Sequence, residues 1–246
     1  MEIKLRIQSR QRGRYLYGLL TCPPRSTKKV IIVVHGMTGW MNDGKNRACA
    51  KFFTKRGWAT LRFDLYGYQD DAGTFDKLGM RDNAADINTM VSHCKKLGFN
   101  SICLAGHSLG WPNILLANLK GVKAIISWDG PDPDSLRDVR SFGKYNAAVG
   151  GYIVDWGTRH IIGRKLTQEL RKFPTAKSLV GGVKTPMLVI AAGDGPYHGA
   201  ARIYCESTDG PNKFLEIPGA SHNFAEEGKE EVLIRETFAW CRKWGS

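Results

Sequence analysis

Five consecutive residues, Gly106-His107-Ser108-Leu109-Gly110, set a hydroxyl between two glycines at the spacing G-x-S-x-G. A serine hydroxyl is a weak nucleophile until a base takes its proton. The pattern therefore matters only where the chain holds that serine within reach of one. The flanks suit this: SICLA before the motif reads as a strand, and LGWPNILLANL after it as a helix. A serine on so sharp a strand-to-helix bend has its hydroxyl lifted clear of the sheet. Glycines two residues to either side are needed because side chains there would collide with the neighbouring strand and helix. The helix N-terminus beneath Ser108 favours developing negative charge. The chemistry implied is attack on a carbonyl carbon.

Such an attack needs donors for the oxyanion, a base and an acid that orients the base. His35-Gly36-Met37 closes an earlier strand. In a strand–turn–helix design of this kind that turn gives one backbone donor and the residue after the nucleophile gives the other. The N–H groups of Met37 and Leu109 are the expected pair, Gly36 lies against the substrate, and His35 reads as structural. His222 lies in a loop between the last strand and the last helix and is the expected base. The acid should precede it in the chain. Asp194, after the strand MLVIAA, is favoured; Asp129 and Asp132, after KAIISW, are rivals. His198 and His160 compete for the role of base, and His198, four residues beyond Asp194, reads as a substrate contact at the mouth. His93 reads as a helix-surface residue and His107 as one packed beneath the bend.

Positioning these groups takes a sheet. Residues 2–9 and 14–20 read as two strands joined by a turn at 11–13. The run KVIIVV at 29–34 suits a strand buried on both faces. Apolar spacing then alternates between helices (43–56, 81–97, 109–119, 199–206, 226–240) and strands (58–63, 101–105, 123–128, 186–192, 213–217). That alternation implies right-handed βαβ units, a mostly parallel sheet and helices on both faces. Residues 129–182 break the rhythm and are too long for an ordinary connection. They read as a small irregular cap, about 130–182, over the carboxyl edge of the sheet, where such folds bind ligands. Its aromatics Phe142, Tyr152 and Trp156, together with Trp128, are candidate substrate contacts. One domain over 1–246 is expected.

The composition, 42% hydrophobic and 24% charged, is that of an ordinary globular chain. No run of about 18 apolar residues could span a membrane. The start lacks an apolar signal core, so a cytoplasmic setting is expected. Six scattered cysteines without a CxxC pair imply free thiols and no metal-type spacing. Thirty-six Lys and Arg against 23 Asp and Glu give a net charge of +13. The basic residues are dispersed, the densest cluster being Arg10, Arg12 and Arg14, which reads as a solvated surface rather than a nucleic-acid footprint.

Four segments, in order, resemble the α/β-hydrolases of the cinnamoyl or feruloyl esterase, monoacylglycerol lipase and serine aminopeptidase group. They are His35-Gly36-Met37; Arg62-Phe63-Asp64-Leu65-Tyr66-Gly67-Tyr68 running on to Asp71-Ala72-Gly73; the motif at Gly106 to Gly110; and Ile217-Pro218-Gly219-Ala220-Ser221-His222-Asn223-Phe224. The resemblance implies the α/β-hydrolase fold, a triad of Ser108, Asp194 and His222, no cofactor, and a carboxylesterase acting on small esters as monomer or homodimer. Thioesterase, acyltransferase or peptidase chemistry would use the same groups. Three departures stand out. Trp111 occupies a position where the family usually has glycine. Ala191 replaces a glycine three residues before Asp194, and Gly195-Pro196 replace the usual residues after it. They motivate a rival reading, a ligand-binding protein of this fold with little turnover.

Overall fold

Alternating side chains in the inner strands feed two apolar cores, one on each face of a single sheet. In the run KVIIVV, Val30, Ile32 and Val34 enter one core while Ile31 and Val33 enter the other. The next strands repeat the division, with Ile102 and Leu104 set against Cys103 and Ala105. This period of two is what a strand covered on both faces requires.

The computed structural model describes residues 1–11, 13–67, 69–155, 159–197 and 199–245, the side chains of Phe142 and Ala200 excepted. The chain opens with β1 (Glu2–Gln8), β2 (Tyr15–Thr21), β3 (Lys29–Val34), α1 (Gly44–Thr54), β4 (Ala59–Phe63) and α2 (Met80–Lys96). It continues through β5 (Ser101–His107), α3 (Gly110–Leu115), β6 (Val122–Trp128) and α4 (Pro133–Arg137). Next come β7 (Lys144–Asn146), β8 (Gly151–Asp155), β9 (Arg159–Ile162), α5 (Arg164–Arg171) and α6 (Ala176–Val180). It closes with β10 (Met187–Ala192), α7 (Ile203–Ser207), β11 (Asn212–Ile217) and α8 (Lys229–Trp244).

Eight strands form the main sheet in the order β1-β2-β4-β3-β5-β6-β10-β11. The β1–β2 and β2–β4 pairs are antiparallel and the five others parallel. Helices α1 and α8 cover one face, through Phe53, Leu233 and Trp240. Helices α2, α3, α6 and α7 cover the other, through Met90, Trp111, Val180 and Tyr204.

The cap is not irregular. It holds three helices and a second sheet, β7-β8-β9, antiparallel throughout. A third apolar cluster, with Leu136, Val154, Leu166 and Phe173, packs it onto Met80 and Leu109 of the main body. Helix α3 is shorter than the apolar pattern at 109–119 suggests, ending at Leu115.

Arg14, of the basic N-terminal cluster, is not a surface cation. Its guanidinium is buried 2.5 Å from the Asp86 carboxylate, which also accepts from the Ser9 hydroxyl at 2.8 Å. Cys49, Cys94, Cys103 and Cys241 are buried free thiols. No helix among the described residues is long and apolar enough to cross a membrane.

Candidate active site

The end of β5 delivers Ser108. Its N–H donates to Trp128 O at 3.0 Å, and its carbonyl accepts from Trp111 N at 3.0 Å. One residue thus closes the ladder and opens the helix, which forces φ to +50°. The glycines are explained by the same crowding. A Cβ on Gly106 would lie 2.6 Å from Gly110 C, and one on Gly110 would lie 2.5 Å from Val34 O. Ser108 is partly exposed and lines a cavity of about 480 Å³. Its hydroxyl has no hydrogen-bond partner among the described residues, a common state of such hydroxyls before substrate arrives.

His222 lines the same cavity from the loop after β11. Phe224, fully buried, anchors that loop in the core beneath. The imidazole Nδ1 donates to Asp129 Oδ2 at 2.5 Å, which leaves the lone pair on Nε2. Asp129 is fully buried and follows β6; its other oxygen accepts from Ala192 N at 3.0 Å. The expectation of Asp194 as the partner is therefore corrected. Asp194 sits in a tight turn closed by Gly195 N donating to Ala192 O, with its own N–H on Ala220 O and the residue facing solvent. Asp132, the other rival, caps α4 by accepting from Asp134 N and Ser135 N.

The turn after β3 supplies Met37. The Gly36 carbonyl accepts from the Tyr66 hydroxyl at 2.9 Å and lies 2.8 Å from His35 Nδ1. Leu65 N donates to His35 Nε2 at 3.0 Å, so the proton of this imidazole must sit on Nδ1, donating to that carbonyl. Burial pushes the His35 pKa down and keeps the ring neutral. Gly39 N also donates to that carbonyl, at 3.2 Å, and with the oxygen held by these three donors the trans peptide plane directs the Met37 N–H the opposite way. Neither the Met37 nor the Leu109 N–H has an acceptor among the described residues, and both residues line the cavity. A Cβ on Gly36 would lie 2.8 Å from Ser108 Cβ, so only glycine lets this turn close on Ser108. Asp64 steadies the loop by accepting from Met41 N at 2.6 Å.

Four described non-glycine residues have positive φ: Thr38 (+60°), Ser108 (+50°), Asp129 (+47°) and Phe224 (+54°). Each lies in a turn that follows a different strand, and all four turns border this cavity.

The expected substrate contacts fare less well. Trp128 is fully buried on the α8 face, with Nε1 donating to Thr237 Oγ1 at 2.9 Å, and does not line the cavity. Tyr152 is buried in the cap cluster, its hydroxyl accepting from Arg171 Nη2 at 2.9 Å, and does not line it either. Trp156, His198 and the Phe142 side chain lie outside the described residues. His160 sits on β9 in the cap sheet, its ring 6.4 Å from Phe75. The cap reaches the cavity through Pro131, Leu136 and Ser141 instead.

Two contributors go beyond the sequence reading, which leaves Tyr197 unassigned and gives His107 only as packed beneath the bend. Tyr197 stands edge-on to His222 at 5.5 Å, its phenol pushed up to about 12 by burial and by Asp129 and Asp132. His107 Nε2 lies 2.8 Å from the His222 carbonyl oxygen. Trp111 does not intrude on the cavity: it is fully buried, T-stacked on Tyr204 at 5.5 Å and pressed onto Gly130, the residue after Asp129. No group of three or more His, Cys, Asp or Glu among the described residues is placed to hold a metal ion.

Sheet order, flanking helices and the bend at Ser108 define the chain as one of α/β-hydrolase fold. Solved structures agree. The chain is similar to Est1E from Butyrivibrio proteoclasticus, in a structure with ferulic acid bound, at 23% identity and a TM-score of 0.80 over 98% of each chain. It is similar to the esterase domain of a Rhodothermus marinus protein at 20% identity and a TM-score of 0.77 over the whole of both. Mouse alpha/beta hydrolase domain-containing protein 10 gives 16% and 0.77 over 98% of this chain and 99% of that one. At these identities the likeness establishes the fold. No protein-family model matches the sequence, and no curated protein does.

Proposed function

We propose that this protein is a serine hydrolase of carboxylesterase type, acting on small carboxylic esters through an acyl-enzyme on Ser108. His222 Nε2 takes the hydroxyl proton as the oxygen attacks the ester carbonyl. Asp129 keeps the imidazole proton on Nδ1 and stabilises the charged ring that forms. The Met37 and Leu109 N–H groups receive the oxyanion, each worth about 3 kcal/mol of transition-state stabilisation. The protonated imidazole then gives its proton to the departing alcohol, and water, activated by the same base, releases the acid.

The observation that carries this reading is the 2.5 Å pairing of His222 with a fully buried aspartate, in the cavity that Ser108 enters from a positive-φ bend. The two esterase structures among the similar folds point the same way. A cavity of about 480 Å³ is in the range of small-molecule sites, about 300–1,000 Å³. The rival reading, a ligand-binding protein with little turnover, rested on Trp111 and the residues after Asp194. The core absorbs Trp111, and Asp194 is not the partner of His222, so neither feature weighs for it.

Turnover of p-nitrophenyl acetate and butyrate tests the proposal. Ser108→Ala should lower it by about 10⁶-fold, and a fluorophosphonate probe should label the wild type and not the variant. Undiminished activity in Ser108→Ala would end the proposal. A panel of graded esters with a cinnamate, a thioester and an amide assigns the bond that is cleaved.

A further inference from the structure

We propose that His107 is a positioning residue for the base, holding the His222 backbone through a hydrogen bond from a neutral imidazole that carries its proton on Nε2. The inference deepens the serine-hydrolase reading and rests on it.

A carbonyl oxygen only accepts, so the 2.8 Å contact between His107 Nε2 and His222 O assigns the proton to Nε2. The other nitrogen faces the Gly36 turn, where an added Cβ would lie 3.2 Å from Nδ1. The ring is buried at 7% exposure. Burial drives its pKa well below the usual histidine value, and the charges on Lys45 and His222 push the same way. Neutrality matters because the two imidazole rings lie 4.7 Å apart. A charged His107 would repel the imidazolium that His222 must become.

The fold makes the contact stiff. His107 is the last residue of β5, paired with Trp128 of β6, and the next residue is the nucleophile. His222 stands on a loop. Asp129 grips its ring at Nδ1, and Lys45 Nζ donates to the neighbouring Asn223 Oδ1 at 3.3 Å. Without His107, the imidazole would be fixed at one ring nitrogen while its own backbone could shift. The bond to His107 ties the base to the strand that carries the nucleophile. Ser108 Oγ has no resting partner among the described residues, so such a tie sets how far the base stands from it. A displacement of about 1 Å costs on the order of 10²-fold in rate.

His107→Gln and His107→Leu separate this role from packing. The glutamine Nε2 can donate at the reach of the histidine Nε2, whereas leucine fills space without donating. Should the leucine variant fail to fold, His107→Asn replaces it, because its amide sits where Nδ1 stood and falls short of the carbonyl. We expect leucine to lower kcat on p-nitrophenyl butyrate on the order of 10²-fold with KM nearly unchanged, and glutamine to stay within about tenfold of wild type. The low-field proton resonance of the His222–Asp129 hydrogen bond should persist with glutamine and broaden with leucine. Equal rates in wild type and leucine, or glutamine falling as far as leucine, would overturn the inference. A wild type that neither turns over esters nor reacts with a fluorophosphonate would instead remove the hydrolase reading, and the resonance would still decide whether His107 holds His222.

Discussion

Asp129→Asn is the substitution whose outcome the structure fixes most closely. One carboxylate oxygen accepts from Ala192 N at 3.0 Å and the other from His222 Nδ1 at 2.5 Å. An asparagine of the same shape must keep its oxygen toward Ala192, because turning it would set an NH₂ against a buried N–H. Its NH₂ then faces His222, whose Nδ1 has to become an acceptor. The imidazole proton moves to Nε2, and the ring can no longer take the proton of Ser108. Loss of the correct tautomer in a triad of this kind costs about 10⁴-fold in kcat, about 5.5 kcal/mol of barrier. Asp194→Asn, at an exposed turn, should leave kcat within about twofold, as surface changes usually do. Steady-state rates on p-nitrophenyl butyrate, with urea midpoints to confirm folding, decide between them. A large loss with Asp194→Asn, or Asp129→Asn within tenfold of wild type, would refute the reasoning.

Stability should fall with pH before the carboxylates titrate. His35 and His107 both have folded-state pKa values lowered by burial, whereas unfolded histidine titrates near about 6.5. Above that value neither state binds the extra proton and stability is full; below it the unfolded chain takes up protons that the folded chain refuses. Each histidine then removes up to about 1.4 kcal/mol per pH unit. Urea midpoints between pH 7.5 and 5 measure this, His107→Gln should make the slope shallower, and a flat profile would contradict it. Gly130→Ala should destabilise by about 1–3 kcal/mol and lower kcat. Its Cβ would lie 2.4 Å from the buried Trp111 ring, and the displaced residue next door is Asp129. Unchanged melting and turnover in that variant would show that the turn yields freely.

Much of this was legible in the chain. The runs KVIIVV and MLVIAA are short unbroken apolar stretches, the mark of strands covered on both faces, and G-x-S-x-G between strand and helix needs no partner to be read. The acid was another matter. Asp129, Asp132 and Asp194 all follow strands at the same edge, and residue type alone does not separate them. The choice depends on which turn carries positive φ and aims its carboxylate inward, and that is set by contacts across β6, β10 and the His222 loop. The cap sheet escaped notice because β7 has three residues and β9 four, too few to show a period. Trp128 looked like a ligand contact by its chemistry, but strand parity turns it toward α8. The sequence places His107 beneath the bend but cannot tie it to His222, since its partner is a backbone carbonyl 115 positions away.

The four bends that run against the preference of L-residues, at Thr38, Ser108, Asp129 and Phe224, have a bearing on how this molecule can change. Each conformation is disfavoured by about 1–2 kcal/mol, so a relaxing substitution at any of them would toughen the chain against heat while blunting its chemistry. Lineages or engineers seeking thermal endurance would find it more safely at the opposite flank, among the hairpin strands β1 and β2. Those two strands lie at the far edge of the sheet, away from all four bends, so a change there leaves the disfavoured turns as they are.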